Sequence, residues 1–194
     1  MEHIQKLIND CHLCGNLLKL EDNSLQIGNT PFIVIGESPA KDGWIVSKKA
    51  FYNYQGKLQA SGRILEKLLN NIGISIDDIY FTELCKCIIE DRKLLSKCSS
   101  NCLPILEKQL NSLPCSIIIT MGSHPTQTLL NNRIKKFGDY VGKIFDRQIG
   151  NKQYKLIPIY HPSPLNPKGY KDNIKIFDVI KNVVYENCHA EFAE

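Results

Sequence analysis

The fold is decided by the stretch PFIVIGESPA at residues 31–40. Its first half is a continuous apolar run rich in β-branched residues, which is typical of a strand buried on both faces of a sheet. Its second half is a polar turn that carries Glu37 and a Ser-Pro pair. Three more apolar runs follow at 79–82, 116–120 and 155–159, so the sequence predicts four buried strands.

Segments with the apolar spacing of helices alternate with these strands. They lie at 64–69, 103–113, 126–130 and 174–184. Strands that alternate with helices at this spacing form a largely parallel sheet through right-handed crossovers, with helices on both faces. We therefore predict an α/β fold, a single three-layer α/β/α domain over residues 1–194 with a central, mainly parallel four-stranded sheet.

Unusual polar residues follow each predicted strand. They are the turn at 36–39 after the first strand, Glu83 and Cys87 after the second, 122–123 after the third and the HPSP turn at 161–164 after the last. In parallel sheets, ligands bind beyond the carboxyl ends of the strands because the loops converge there. The sequence therefore predicts one functional site built from four loops.

Length and composition limit the classes of function. The chain has 194 residues, of which 43% are hydrophobic, and its net charge is +4. This charge permits a polyanionic partner but does not by itself indicate one. No apolar run approaches the roughly 20 residues of a membrane-spanning helix, and the N-terminal residues lack the apolar stretch of a signal peptide. We expect a cytoplasmic protein without a membrane partner.

The eight cysteines are the first chemical signal. In a reducing compartment, clustered cysteines indicate a metal site or redox chemistry instead of disulfides. Cys11 and Cys14 form a CxxC motif, whereas Cys115 and Cys188 are typical of isolated thiols. A second group surrounds a short polar loop and consists of Cys85, Cys87, Cys98 and Cys102. Four thiolates from the two groups fit either a zinc ion or an iron-sulfur cluster, and the spacing does not separate the two.

Seven motifs occur in a fixed order along almost the whole chain. They are CxxC at 11–14, GESP at 36–39, SGRIL at 61–65, TELCKC at 82–87, CLPILEKQL at 102–110, MGSH at 121–124 and HPS at 161–163. With these motifs the chain resembles the family 4 uracil-DNA glycosylases, which carry a [4Fe-4S] cluster. The resemblance selects as cluster ligands Cys11, Cys14, Cys87 and Cys102.

The resemblance implies a monofunctional DNA glycosylase, a hydrolase of base-excision DNA repair that flips an aberrant base out of DNA and cuts its N-glycosidic bond. We expect it to act as a monomer associated with the nucleoid. Cutting this bond builds positive charge on the sugar and negative charge on the base, so acceptors are needed near the sugar and donors near the base. The resemblance places the catalytic acid at Glu37, and His161 is positioned to donate a hydrogen bond to the base oxygen.

Further residues are predicted to contact DNA. Ser38 and Ser163 stand beside prolines in rigid turns and suit phosphates on either side of the extruded nucleotide. Ser61 belongs to the SGRIL motif and is assigned to DNA with them. Leu165 is the natural wedge to fill the gap in the base stack, with Lys168 nearby for the backbone.

The base pocket departs from the family pattern. The family asparagine that reads uracil is replaced by Glu83, and the family's PFVG element aligns with 56–59, where its phenylalanine is lost. A carboxylate accepts from an exocyclic amine and donates to a carbonyl only when protonated, so a modified cytosine is a possible base as well as uracil. We expect Phe51 or Tyr52 to stack on the flipped base.

Two other functions compete with excision. A glycosylase fold with an altered pocket could bind a lesion or a modified base without cutting, and Glu83 and Lys57 favour that interpretation, whereas Glu37 and His161 argue against it. The cysteines and the sheet alone would also fit a zinc-stabilised α/β enzyme for a small molecule.

Overall fold

The computed structural model describes residues 2–190, with side chains described up to residue 186. In this part of the chain, six strands form one mixed sheet in the order β1-β3-β2-β4-β6-β5. The strands are β1 Leu25–Gln26, β2 Phe32–Gly36, β3 Tyr80–Glu83, β4 Ile117–Met121, β5 Phe145–Ile149 and β6 Lys152–Ile159.

The helices follow the predicted alternation. They are α1 Glu2–Asn9, α2 Trp44–Ser47, α3 Ala60–Asn70, α4 Leu95–Asn111, α5 Ser123–Leu130 and α6 Lys168–Ala190. Short 3₁₀ turns occupy Arg92–Leu94 and Phe137–Asp139. The four predicted helical segments correspond to α3, α4, α5 and α6, although the segment 103–113 extends two residues past the end of α4. Of the described helices, none is long and apolar enough to cross a membrane.

The four central strands, β3, β2, β4 and β6, are mutually parallel, which confirms the predicted core of the sheet. The predicted strand count was too low, because β1 and β5 add antiparallel edges. β1 has only two residues, and β5 is a half-exposed strand with the sequence FDRQI, so neither has the continuous apolar run of a buried strand. β5 joins β6 through a two-residue turn at 150–151.

The core lies on both faces of the sheet. Val34 packs in a cluster with Leu65 of α3 and Phe177 of α6. Ile33, the preceding residue of β2, packs in a second cluster with Leu106 of α4. Because successive side chains of a strand point to opposite faces, these two clusters are separated by the sheet. The three-layer α/β/α architecture is therefore confirmed.

Asn173 of α6 fixes the loop that carries His161. This fully buried side chain accepts a hydrogen bond from the Tyr160 N–H at 3.0 Å and donates to the Tyr160 carbonyl oxygen at 2.7 Å. It also donates to the Gly169 carbonyl oxygen at 2.9 Å. One buried amide thus satisfies the main chain on both sides of the HPSP turn.

Replacing Asn173 with Ala leaves the Tyr160 main-chain groups unpaired in a buried position. We expect the free energy of unfolding to fall by about 1–3 kcal/mol, measured by urea denaturation. Lys175→Ala, at an exposed position two residues along the same helix, is the matched control. Equal stability of the two variants would show that Asn173 does not hold the turn.

Candidate active site

Two adjoining pockets open at the carboxyl edge of the parallel strands. The larger has a volume of about 400 Å³ and the smaller about 160 Å³. They share the residues Ser38, Glu83, Met121 and His161. The loops after β2, β4 and β6 therefore meet the end of β3 at one site, as the positions of the unusual residues predicted.

Glu37 lines the larger pocket directly after β2. Its side chain is 25% exposed and forms a two-pronged ion pair with Arg92, in which Nη1 donates to Oε1 and Nη2 donates to Oε2 at 3.2 Å. Two parallel N–H donors fix the plane of a carboxylate. Glu37 is thus held as an oriented anion at the mouth of the pocket.

His161 lines both pockets from the HPSP turn. Desolvation lowers the pKa of its imidazole, and the negative charge of Glu37 opposes this shift only in part. The ring is therefore neutral near pH 7, and a neutral imidazole keeps one N–H to donate. The loop around it is tight, since the His161 carbonyl oxygen accepts from the Ser163 N–H at 2.8 Å and from Asn166 Nδ2 at 3.2 Å.

Glu83 ends β3 and lies opposite Gly36 in the parallel ladder. A Cβ atom at residue 36 would lie 2.1 Å from Glu83 Oε2, so glycine is required there for the carboxyl group to fit. Oε2 is buried and has no hydrogen-bond partner in the described structure. Desolvation raises the pKa of Glu83 to about 8; the charge of Lys86 opposes this shift and that of Glu37 adds to it.

Lys86 lies beneath the pocket and is buried. Its Nζ atom donates to Thr82 Oγ1 at 2.7 Å and to the main-chain carbonyl oxygen of Glu83. Desolvation lowers the pKa of this ammonium group to about 8. The Lys86 ammonium group therefore donates to these acceptors and not to the Glu83 carboxyl group.

Phe51 lines the smaller pocket together with two other aromatic residues, Trp44 and Phe81. Its ring contacts Phe81 with centroids 4.2 Å apart, and its backbone has φ +67°, a left-handed conformation that is uncommon for a phenylalanine. A Cβ atom at residue 62 would lie 2.9 Å from Phe51 Cβ, so Gly62 of the SGRIL motif lets the ring approach. The pocket thus has an aromatic residue although 56–59 lacks one.

Tyr52 lies outside both pockets. Its hydroxyl group bonds Asp77 Oδ1 at 3.0 Å, and Lys49 Nζ stands 4.0 Å from the centroid of its ring. The structure therefore does not bring Tyr52 to the base pocket. Of the two aromatic residues expected to stack on a base, only Phe51 is in a position to do so.

The residues predicted to contact DNA lie in the smaller pocket and on the segment that follows His161. Ser38 and Ser61 line the smaller pocket. Ser163 accepts a hydrogen bond at its hydroxyl from the Leu165 N–H at 3.3 Å, which shapes the HPSP turn. The side chain of Leu165 is 93% exposed, and Lys168 is the first residue of α6 with its Nζ 5.3 Å from the ring centroid of Tyr160.

The predicted cluster ligands lie near one another on the α1 and α4 side of the sheet. Burial raises the pKa of the Cys87 thiol to about 12. The thiols that add to this shift are those of Cys102, Cys14 and Cys11. Cys102 also accepts a hydrogen bond from the Lys86 main-chain N–H at 3.4 Å.

The other cysteines are less clearly placed for a ligand role. Cys98 also neighbours Cys14, and burial raises its pKa to about 12, whereas Cys85 Sγ contacts Ser99 Oγ at 3.3 Å. Cys115 is a buried, isolated thiol as expected, and the side chain of Cys188 lies outside the described residues. Among the described side chains, which end at residue 186, no group of three or more His, Cys, Asp or Glu is close enough to hold a single metal ion.

The fold and the pocket place the chain among α/β enzymes, with an acid and a neutral imidazole at the carboxyl edge of a parallel sheet. Residues 24–182 match the family model described as Uracil DNA glycosylase superfamily. This match covers most of the chain, which therefore belongs to the uracil-DNA glycosylase superfamily.

Curated relatives support the same assignment. The type-4 uracil-DNA glycosylase of Saccharolobus solfataricus is 29% identical over 169 residues, which cover 80% of this chain and 72% of that protein. Those of Archaeoglobus fulgidus and Pyrobaculum aerophilum are each 25% identical and cover 84% of this chain, with 81% and 83% of their own lengths matched. The resemblance inferred from the seven motifs is confirmed.

Sequence reasoning missed two residues of the site. Arg92, the partner of Glu37, lies in the polar loop before α4, where no motif marks it. Lys86 could have been predicted from the sequence. It lies between two cysteines in an apolar segment, where a lysine is unusual.

The raised pKa of Glu83 makes stability depend on pH. The folded state holds the Glu83 proton up to about pH 8 and the unfolded chain only to its ordinary value of 4.5, so the contribution of Glu83 to stability falls as pH rises between these values. We expect Glu83→Gln to gain stability relative to the wild type by a few kcal/mol from pH 5 to pH 9, measured by urea unfolding. Exposed Glu21→Gln is the control, and a pH-independent difference would contradict the shift.

Proposed function

We propose that this protein is a monofunctional DNA glycosylase that flips uracil out of DNA and hydrolyses its N-glycosidic bond, which starts base-excision repair. The observation that carries the proposal is that Glu37 and His161 line one pocket of about 400 Å³ at the edge of the sheet. The relatives named type-4 uracil-DNA glycosylase support the choice of base.

Glu37 and His161 stabilise the opposite charges that develop on the sugar and the base during bond cleavage. The bond between C1′ and the base nitrogen breaks with its electron pair going to the base, while the oxygen of a water molecule bonds to C1′. The Glu37 carboxylate stabilises the positive sugar, orients this water and takes its proton. Neutral His161 donates a hydrogen bond to the base oxygen as negative charge builds there, and the released base anion takes a proton from solvent.

Arg92 acts on this reaction through Glu37. Its two donors hold the plane of the carboxylate at the edge of the pocket. The pair is largely solvent-exposed on the Arg92 side, and such pairs contribute little to overall stability. Arg92 is therefore a positioning residue.

The pocket mouth is proposed to grip the DNA strand. Ser38, Ser61 and Ser163 bond the phosphates that flank the flipped nucleotide, and Lys168 contacts the backbone. Leu165 fills the gap that the flipped base leaves in the base stack. Its side chain is 93% exposed on a tight turn, which suits this role. Phe51 stacks on the flipped base.

The protein is proposed to work as a monomeric single domain on chromosomal DNA of the nucleoid. Support for a single domain comes from the one six-stranded sheet with a core on each face.

The activity is tested with labelled oligonucleotides that each hold one uracil, hypoxanthine, xanthine or modified cytosine, followed by alkali to cut abasic sites. We expect release of uracil, with rates lower by about 10²–10⁴-fold in Glu37→Gln and by about 10²–10³-fold in His161→Ala. The exposed variants Glu21→Gln and His3→Asn are matched controls. Tight DNA binding without release of any base would instead establish a non-cutting DNA-binding protein.

We propose further that a [4Fe-4S] cluster is held by Cys11, Cys14, Cys87 and Cys102. The influence of Cys102, Cys14 and Cys11 on the pKa of Cys87 supports a site of four thiolates. The family resemblance selects these four over Cys98, which also neighbours Cys14 and Cys87. Bound there, the cluster supplies a cross-link between the N-terminal segment, the loop after β3 and α4.

Cluster loss should be visible without any activity assay. We expect Cys87→Ser to lose iron, acid-labile sulfide and visible absorbance, and to melt at a lower temperature, because metal binding contributes to folding. Cys115→Ala, at an isolated buried thiol, should keep the iron and sulfide of the wild type. Finding zinc but no acid-labile sulfide in the wild-type protein would contradict the cluster and indicate a zinc site.

A further inference from the structure

The surroundings of the Glu83 carboxyl group determine whether it is charged or neutral. Oε2 lies against Gly36, is buried and receives no hydrogen bond from the described residues. A carboxylate in this position would have one buried oxygen without a donor, which is costly. A neutral carboxylic acid avoids that cost.

The charged groups around Glu83 do not remove the cost of ionisation. Lys86 donates to Thr82 and to a main-chain oxygen. Glu37, on the adjacent strand end, is held as an anion by Arg92 and so disfavours a second negative charge. His161 shares the pocket with a lowered pKa and is uncharged near pH 7. His124, on α5, also has a lowered pKa because of desolvation.

We propose that Glu83 reads the flipped base as a neutral carboxylic acid, its buried Oε2 remaining the carbonyl oxygen against Gly36 and its O–H at Oε1 donating to the C4 carbonyl oxygen of a 2,4-dioxopyrimidine. This inference rests on the proposed glycosylase function and names the substrate class of that site. The neutral acid thereby supplies the donor to O4 that the family's asparagine supplies. Glu83 is a specificity residue that works only while protonated.

The hydrogen bond that Glu83 donates also favours cleavage of uracil over cytosine. As the bond breaks, negative charge spreads over the base and reaches the oxygen at C4 of uracil. A donor at that oxygen strengthens its hydrogen bond in the transition state and accelerates the step. Cytosine carries an amine at C4 and gains nothing from it. The pocket thus selects the 4-oxo base through the rate of cleavage.

The first test is the pH dependence of single-turnover uracil excision between pH 6 and 9.5. The wild-type rate should fall about tenfold per pH unit above about pH 8, where Glu83 ionises. Glu83→Gln, which donates and accepts at every pH, should lack this fall, and Glu83→Asn serves if the glutamine variant folds poorly. Exposed Glu21→Gln should keep the wild-type profile.

Binding gives a second readout that does not need turnover. An oligonucleotide with 2′-fluoro-deoxyuridine resists cleavage because fluorine disfavours a positive sugar, and its affinity should weaken from pH 7 to pH 9 for the wild type but not for Glu83→Gln. Identical pH profiles of wild type and Glu83→Gln in both assays would overturn the proposal, as would a wild-type rate that rises with ionisation. Wild-type protein that releases no uracil but shows the pH-dependent binding would instead overturn the glycosylase function alone.

Discussion

The pairing of β2 with β3 in parallel register is the constraint on which the rest of the site depends. It sets Gly36 opposite Glu83, and the missing side chain at residue 36 is the space that the Glu83 carboxyl group fills. Because side chains alternate between the faces of a sheet, a slip of one residue would exchange the side chains that β2 packs into the two different core clusters. The two core clusters therefore fix the same register that builds the pocket.

Two carboxyl groups at one edge of the sheet are driven to different states by their surroundings. Glu37 is partly exposed and bonded to a guanidinium group, which favours the anion. Glu83 is enclosed, lacks a donor at Oε2 and lies within the field of Glu37, which favours the neutral acid. Opposite protonation states in one pocket are a common basis for dividing acid and base roles in catalysis. Under the proposed function, the Glu37 anion serves the sugar and the neutral Glu83 acid serves the base.

The parts of the structure that were predictable are those with a strong local signal. Continuous β-branched runs identified the four central strands, and the residues after them identified the rim that holds Glu37 and His161. The edge strand β5 was missed because its half-exposed sequence resembles a loop. Arg92 and the choice of Phe51 over Tyr52 depend on how a loop folds back in three dimensions, which spacing along the chain does not encode.

The segment between Glu83 and Cys87 links the pocket to the cysteines. Lys86 contributes its side chain to the end of β3 and its main-chain N–H to Cys102. Its carbonyl oxygen accepts from the Leu20 N–H at 2.9 Å, and this pairing with the N-terminal segment brings the CxxC motif to the same side of the sheet. Because a backbone held on both sides cannot shift locally, fixing the cysteines also fixes the strand end that presents Glu83. Binding of the proposed cluster at Cys87 would therefore also constrain Glu83, which is separated from it by three residues.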